Sequence, residues 1–182
     1  PRHPRPTPTP ATTPAASPVP PASPASPKSK PVTVGKQTEA GLRPTSFGKH
    51  VFQLPSDPKG LVVFLPGCAR GAYGFWPQSS NSKFLGFPED VSHTKQILKK
   101  GYGLLVLTPG TTTGSLAYCW TSKAGDDKTA TQAIADFRKQ HGLDRKPLYL
   151  MGASSGGGMA QRLLGGGAVK ADGMIAEVAT SS

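Results

Sequence analysis

The hydrophobic residues of the second part of the chain fall into short, unbroken runs rather than alternating ones. "GLVVFLPG" (60–67), "YGLLVLTPG" (102–110) and "KPLYLMG" (146–152) each pack four to six apolar residues against a Gly or Pro stop, and "DGMIAEVA" (172–179) is a weaker fourth case. Continuous apolarity is what a parallel strand covered on both faces requires. "KHVFQLP" (49–55) alternates instead, as a half-exposed edge strand does. Between the runs the period changes to that of a helix. In "EDVSHTKQILKK" (89–100) Val91, Lys95 and Leu98 share a face, and Lys-Lys-Gly ends it. In "DDKTATQAIADFRKQH" (126–141) Ala130, Ala133, Ile134 and Phe137 form one stripe; Asp126 and Asp127 suit the positive end of the dipole, and Gly142 closes the helix. The order is edge strand, strand, helix, strand, helix, strand, helix, strand, which predicts a doubly wound α/β sheet. Ligands of such sheets bind beyond the carboxyl ends of the strands, where 66–71, 108–114 and 152–158 fall.

Composition divides the chain. Thirteen of its 20 prolines lie in residues 1–44, in a Ser/Thr/Ala-rich stretch with almost no large apolar side chains. Such a segment cannot bury enough surface to offset the entropy of ordering, so a disordered tail over 1–44 and a folded part over 45–182 are expected. The Ser-Pro and Thr-Pro repeats resemble the O-glycosylated stalks of extracellular plant and algal proteins, which points to an extracellular or cell-surface place. A plastid transit peptide and a linker with no address have the same composition. Asn81, the only asparagine, sits in "NSK" and is not a glycosylation acceptor.

The net charge of +11 is spread out: residues 1–40 hold five Lys/Arg against one Glu, the rest sixteen against nine acids, with no basic run longer than two. That is a solvated surface rather than a nucleic-acid footprint. No apolar run approaches the roughly 18 residues of a membrane span. The two cysteines, Cys68 and Cys119, fit both a disulfide and two buried thiols, and neither belongs to a metal-ligand pattern.

The chemistry centres on Gly152-Ala153-Ser154-Ser155-Gly156, a G-x-S-x-G turn after a strand and before a helix. A serine hydroxyl becomes a nucleophile when a base takes its proton and donors hold the resulting oxyanion. Ser154 is the candidate nucleophile. The Ser155 N–H at the helix start is one oxyanion donor, and the loop "LPGCARGA" (65–72) offers the second from the Cys68 or Ala69 N–H. The same letters also resemble the phosphate-cradling loop of short-chain, NAD(P)-dependent dehydrogenases. In those enzymes the loop follows the first strand, whereas several strands precede it here. Their Tyr-x-x-x-Lys pair is absent from these residues, since Tyr73, Tyr102, Tyr118 and Tyr149 are followed four residues later by Pro77, Val106, Ser122 and Ala153; such a pair beyond Ser182 would restore the oxidoreductase alternative.

Taken in order, "PGCARGAYGFWP", "GFPEDV", "GYGLLVLTPG", "CW" and "HGLDRKPLYLMGASSGG" resemble a plant and algal group of α/β-hydrolase-fold proteins over roughly residues 50–179. The resemblance implies Ser154 as nucleophile, the N–H groups of Ser155 and Cys68 as oxyanion hole, and Phe75, Trp76 and Trp120 as pocket aromatics, for which core packing is the plainer alternative. It implies an ester, thioester or amide substrate, a small molecule or a peptide, and no metal or organic cofactor. In that family the acid and the histidine follow the serine. Here His3, His50, His93 and His141 all precede it, and only Asp172 and Glu177 come after, at the start of and inside a predicted strand. His141 is expected at the far edge of the sheet and His93 on an outer helix. The expectation is therefore that the chain is the N-terminal portion of a longer protein, with acid and base beyond Ser182 and little activity by itself. A hydrolase-fold protein that binds a ligand without a triad is the non-enzymatic alternative.

Overall fold

The computed structural model describes residues 41–78, 83–110 and 118–177. Its strands are β1 (Thr45–Phe47), β2 (His50–Gln53), β3 (Leu61–Leu65), β4 (Gly103–Val106), β5 (Leu148–Ala153) and β6 (Gly173–Glu177), and its helices are α1 (Pro88–Lys99), α2 (Asp126–Gln140) and α3 (Ser155–Gly165). All six strands join one sheet in the order β1-β2-β4-β3-β5-β6. β4, β3, β5 and β6 run parallel, and β1 and β2 are antiparallel additions at one edge. The doubly wound α/β class expected from the apolar runs is thus observed.

Two details differ from the pattern. β1 is a strand that apolar periodicity misses, because three residues joined to β2 through Gly48 (φ 58°) are too few to show a period. The folded part also starts before the expected boundary at residue 44. Leu42 is buried, the Arg43 N–H donates to Gln53 Oε1 at 2.9 Å, and Gln53 Nε2 donates to the Gly41 carbonyl at 3.0 Å. Residues 1–40 of the expected tail, Asn81 and residues 111–114 of the expected strand-end loop lie outside the described residues.

Each central strand feeds two cores, which is why its sequence is apolar at every position. Leu61, Val63 and Leu65 of β3 join Leu105, Ile134, Phe137, Leu150, Met159 and Leu163 under α2 and α3. Phe64 of β3 joins Leu104, Val106, Phe75, Trp76, Val91 and Leu98 under α1. Thr94, not Lys95, completes the buried face of α1. Its hydroxyl donates to the Phe75 carbonyl at 2.7 Å, which removes the cost of burying it.

The chain order reverses between β3 and β5: β4 lies on one side of β3 and β5 on the other. The loops after β3 and β5 therefore leave the sheet side by side, at the crevice where such sheets bind ligands. Close docking of α3 sharpens this meeting. A Cβ on Gly156 would collide with the Leu65 carbonyl of β3, and one on Gly152 would lie 2.5 Å from the Gly156 oxygen. A Cβ on Gly158, two residues further on, would meet nothing within 4 Å.

Two buried polar groups hold the remaining strand-end loops. Asp126, 1% exposed, accepts the Gly110 N–H at 2.7 Å and the Thr121 N–H at 2.9 Å, so its carboxylate serves loop geometry as well as the helix dipole. His50, 6% exposed, accepts the Thr108 N–H on Nδ1 at 3.0 Å, and Thr108 Oγ1 in turn accepts the Ala72 N–H at 3.3 Å. Burial, aided by the charge of Lys49, lowers the His50 pKa from 6.5 to about 4.

Two measurements follow from this packing. The unfolded chain takes up the His50 proton near pH 6.5 and the folded chain only near 4, so the stability that neutral His50 contributes is complete above pH 6.5 and lost as pH falls through about 4. We expect denaturant unfolding to show a loss of roughly 2–3 kcal/mol over that window, with a clearly smaller slope in His50→Gln; equal slopes would show that His50 does not carry the effect. In α3, Gly158→Ala should gain up to about 1 kcal/mol from helix propensity, whereas Gly156→Ala should lose about 3 kcal/mol or more. Similar denaturation midpoints for the two variants would contradict the docking described.

Candidate active site

Ser154 stands between β5 and α3 with φ 51° and ψ −120°, a conformation that residues bearing a Cβ rarely adopt. The surroundings over-determine it. Its N–H donates to the Glu177 carbonyl at the end of β6 at 2.9 Å, and its own carbonyl accepts the Gly158 N–H at 3.1 Å. The side chain is exposed rather than turned into the core. The Ser155 N–H belongs to the first turn of α3, where no carbonyl four residues back is available and the dipole end is positive.

The loop after β3 lies against this turn. A Cβ on Gly67 would be 3.3 Å from Ser154 Cβ, so glycine is what permits the approach. Past Gly67 the loop turns back on itself, with the Arg70 N–H donating to the Gly67 carbonyl at 3.2 Å and Ala69 at φ 57°. Cys68 is exposed on this turn and is disulfide-bonded to Cys119. The next residue, Trp120, donates Nε1–H to the Pro66 carbonyl at 2.8 Å, and its N–H reaches Ser155 Oγ at 3.4 Å. Three loops, after β3, before α2 and after β5, are thus fastened around one hydroxyl.

That hydroxyl opens on a cavity of about 350 Å³ whose walls include Gly67, Cys68, Arg70, Asp90, His93 and Glu177. Arg70 lies over the Phe87 ring, 4.1 Å from its centroid, and pairs with Asp90 at 3.3 Å. Burial raises the Asp90 pKa, opposed by the charge and hydrogen bond of Arg70. His93 packs on Phe64 at 5.4 Å between ring centroids, and its Nε2 faces Glu177 Oε1 at 3.6 Å. Its Nδ1 is buried and has no hydrogen-bond partner among the described residues.

The sequence-based candidates sort cleanly. Ser154, Ser155 and Cys68 are brought together. Phe75 and Trp76 are not pocket walls: both are fully buried in the core under α1, where Trp76 Nε1–H donates to Gln53 Oε1 at 3.1 Å. The Ala72–Gly74 turn folds the chain back beneath α1 and takes them there. Trp120, also buried, acts as a tie between loops. His141 lies between Phe52 and Phe137, away from Ser154, as expected. His93 is the surprise, since a helix that follows β3 begins beside the strand ends and so brings its second turn to the cavity. Glu177 is the last residue of β6 rather than an interior one, which puts it at the same level as Ser154. Gly152 and Gly156 are explained by contacts within the turn and with β3, and the turn follows the fifth strand of the sheet. A phosphate cradle is not needed to account for them. Among the described residues no group of three or more His, Cys, Asp or Glu could hold a metal ion, and no helix is long and apolar enough to cross a membrane.

The arrangement has counterparts among solved structures. TT1662 from Thermus thermophilus superposes with a TM-score of 0.51 at 18% identity, over 72% of this chain and 52% of that one. MenH from S. aureus gives 0.50 at 14% identity, over 74% and 43%. A highly thermostable carboxyl esterase from Bacillus coagulans, solved in complex with glycerol, gives 0.50 at 13% identity, also over 74% and 43%. At such identities the likeness is one of fold, and the chain spans about half the length of these proteins. No protein-family model and no curated protein matches it. The fold is of the α/β-hydrolase type, a mostly parallel six-stranded sheet with helices on both faces.

Proposed function

We propose that this chain carries the nucleophile of a serine hydrolase acting on an ester, thioester or amide of a small molecule or peptide. The observation that carries the reading is Ser154: an exposed hydroxyl held at φ 51° between a strand end and a helix start, against the loop of Gly67 and Cys68. Ser154 Oγ attacks the substrate carbonyl carbon while a histidine takes its proton. Negative charge then develops on the carbonyl oxygen and is held by the N–H groups of Ser155 and Cys68. One such donor is worth about 3–4 kcal/mol of barrier. Collapse expels the alcohol, thiol or amine, which the imidazolium protonates, and water releases the acyl group by the same steps in reverse.

The resemblance to α/β hydrolases implies a histidine as the base. His93 shares the cavity, but its Nδ1 is buried and its Nε2 faces Glu177. In that orientation it is a wall of the cavity rather than the proton acceptor.

Two variants of the full-length protein test these roles. A fluorophosphonate probe should label the wild type, and Ser154→Ala should abolish labelling and lower ester hydrolysis by about 10³-fold or more. Folded wild-type protein that takes no label would sink the proposal. His93→Gln should keep the labelling rate within about tenfold, and a loss as large as that of Ser154→Ala would make His93 the base instead.

A further inference from the structure

We infer that the Cys68–Cys119 disulfide is a thiol-sensitive clamp on the oxyanion side of the Ser154 cavity, so that activity depends on the bridge being oxidised. The inference rests on the hydrolase reading above and adds a condition to it.

The bridge joins two loops that each hold a residue with a Cβ at positive φ. Ala69, beside Cys68, has φ 57°, and Tyr118, beside Cys119, has φ 58°. With Ser154, these are the only described residues other than glycine at positive φ. Side chains rarely tolerate that region without external constraint, and the covalent constraint common to both loops is the disulfide between them. The tie from Trp120 Nε1–H holds the Pro66 carbonyl, two residues before Cys68, and the N–H contact to Ser155 Oγ is long at 3.4 Å. Neither fixes the peptide that carries the Cys68 N–H. When the bridge opens, the turn at 67–70 keeps the Arg70 N–H bond to the Gly67 carbonyl but loses its covalent tie at Cys68, so the peptide that carries the Cys68 N–H is no longer pinned at the oxyanion position.

The two sulfur-bearing residues differ in access. Cys68 is exposed and forms part of the cavity wall, while Cys119 is buried. A thiolate of a dithiol reductant therefore attacks Cys68 Sγ. The Sγ–Sγ bond breaks, its electron pair leaves on Cys119 Sγ, and a mixed disulfide forms at Cys68. The second thiol of the reductant then displaces Cys68 as thiolate. The reductant ends as its own cyclic disulfide, and two electrons and two protons have passed to the cysteines.

The test compares full-length protein before and after treatment with dithiothreitol, desalted before assay, with thiols counted by alkylation and mass. Reduction should lower kcat for a simple aryl ester at least tenfold with KM changed less than threefold, slow fluorophosphonate labelling in parallel, and leave far-UV circular dichroism unchanged. Reoxidation should restore the rate, and amide exchange over 66–71 should quicken on reduction. The Cys68→Ala/Cys119→Ala double variant should behave as reduced wild type and ignore dithiothreitol. Reduced protein that labels as fast as oxidised protein overturns the clamp alone, as does global unfolding on reduction. Oxidised protein with no label on Ser154 defeats the nucleophile reading and the clamp with it.

Discussion

The contact on which the rest depends is that of α3 with β3, where Gly156 meets the Leu65 carbonyl with no side chain between them. It brings the start of α3 down onto the sheet and compresses the connection from β5 into a single residue, Ser154. Nothing larger than hydrogen fits at Gly156, and Gly152 is similarly closed off by the Gly156 carbonyl. The sharp turn is therefore a consequence of packing. Once it exists, the hydroxyl has no choice but to face outward, and the first-turn amides of α3 have no choice but to point the same way.

Reversal of chain order between β3 and β5 supplies the second half of the site. It places the loop after β3 against the turn without any long-range bond, and Gly67 lets the two backbones approach. What polar bonds add is rigidity. Asp126 anchors the segments around Gly110 and Thr121, His50 and Thr108 anchor the segment at Ala72, and Trp120 spans from Pro66 to Ser155. The scaffold is apolar and general, and the fastening is polar and local.

The fold was legible because its strands are covered twice, so that residues such as Leu61 to Leu65 had to be apolar throughout. The turn that carries Ser154 was legible because it needs small residues at fixed places. The limits were also physical. Thr94 is buried yet polar, its cost removed by a hydrogen bond to Phe75 that no periodicity records. Phe75 and Trp76 stand close in sequence to the loop of the site, but a single tight turn sends them into the core. His93 and Glu177 meet at the cavity from a helix and a strand far apart in the chain. Such proximity follows from sheet order, which local patterns do not encode. The pairing of Cys68 with Cys119 is of the same kind.

The backbone of Ser154 has one further implication. Holding a residue with a Cβ in that part of conformational space costs about 1–3 kcal/mol, and glycine would occupy it at ease. A lineage drifting under pressure for robustness alone would be drawn toward the residue without a side chain, and the hydroxyl would vanish with the strain. Thermal durability and retention of the hydroxyl thus pull in opposite directions at a single atom's remove from the main chain.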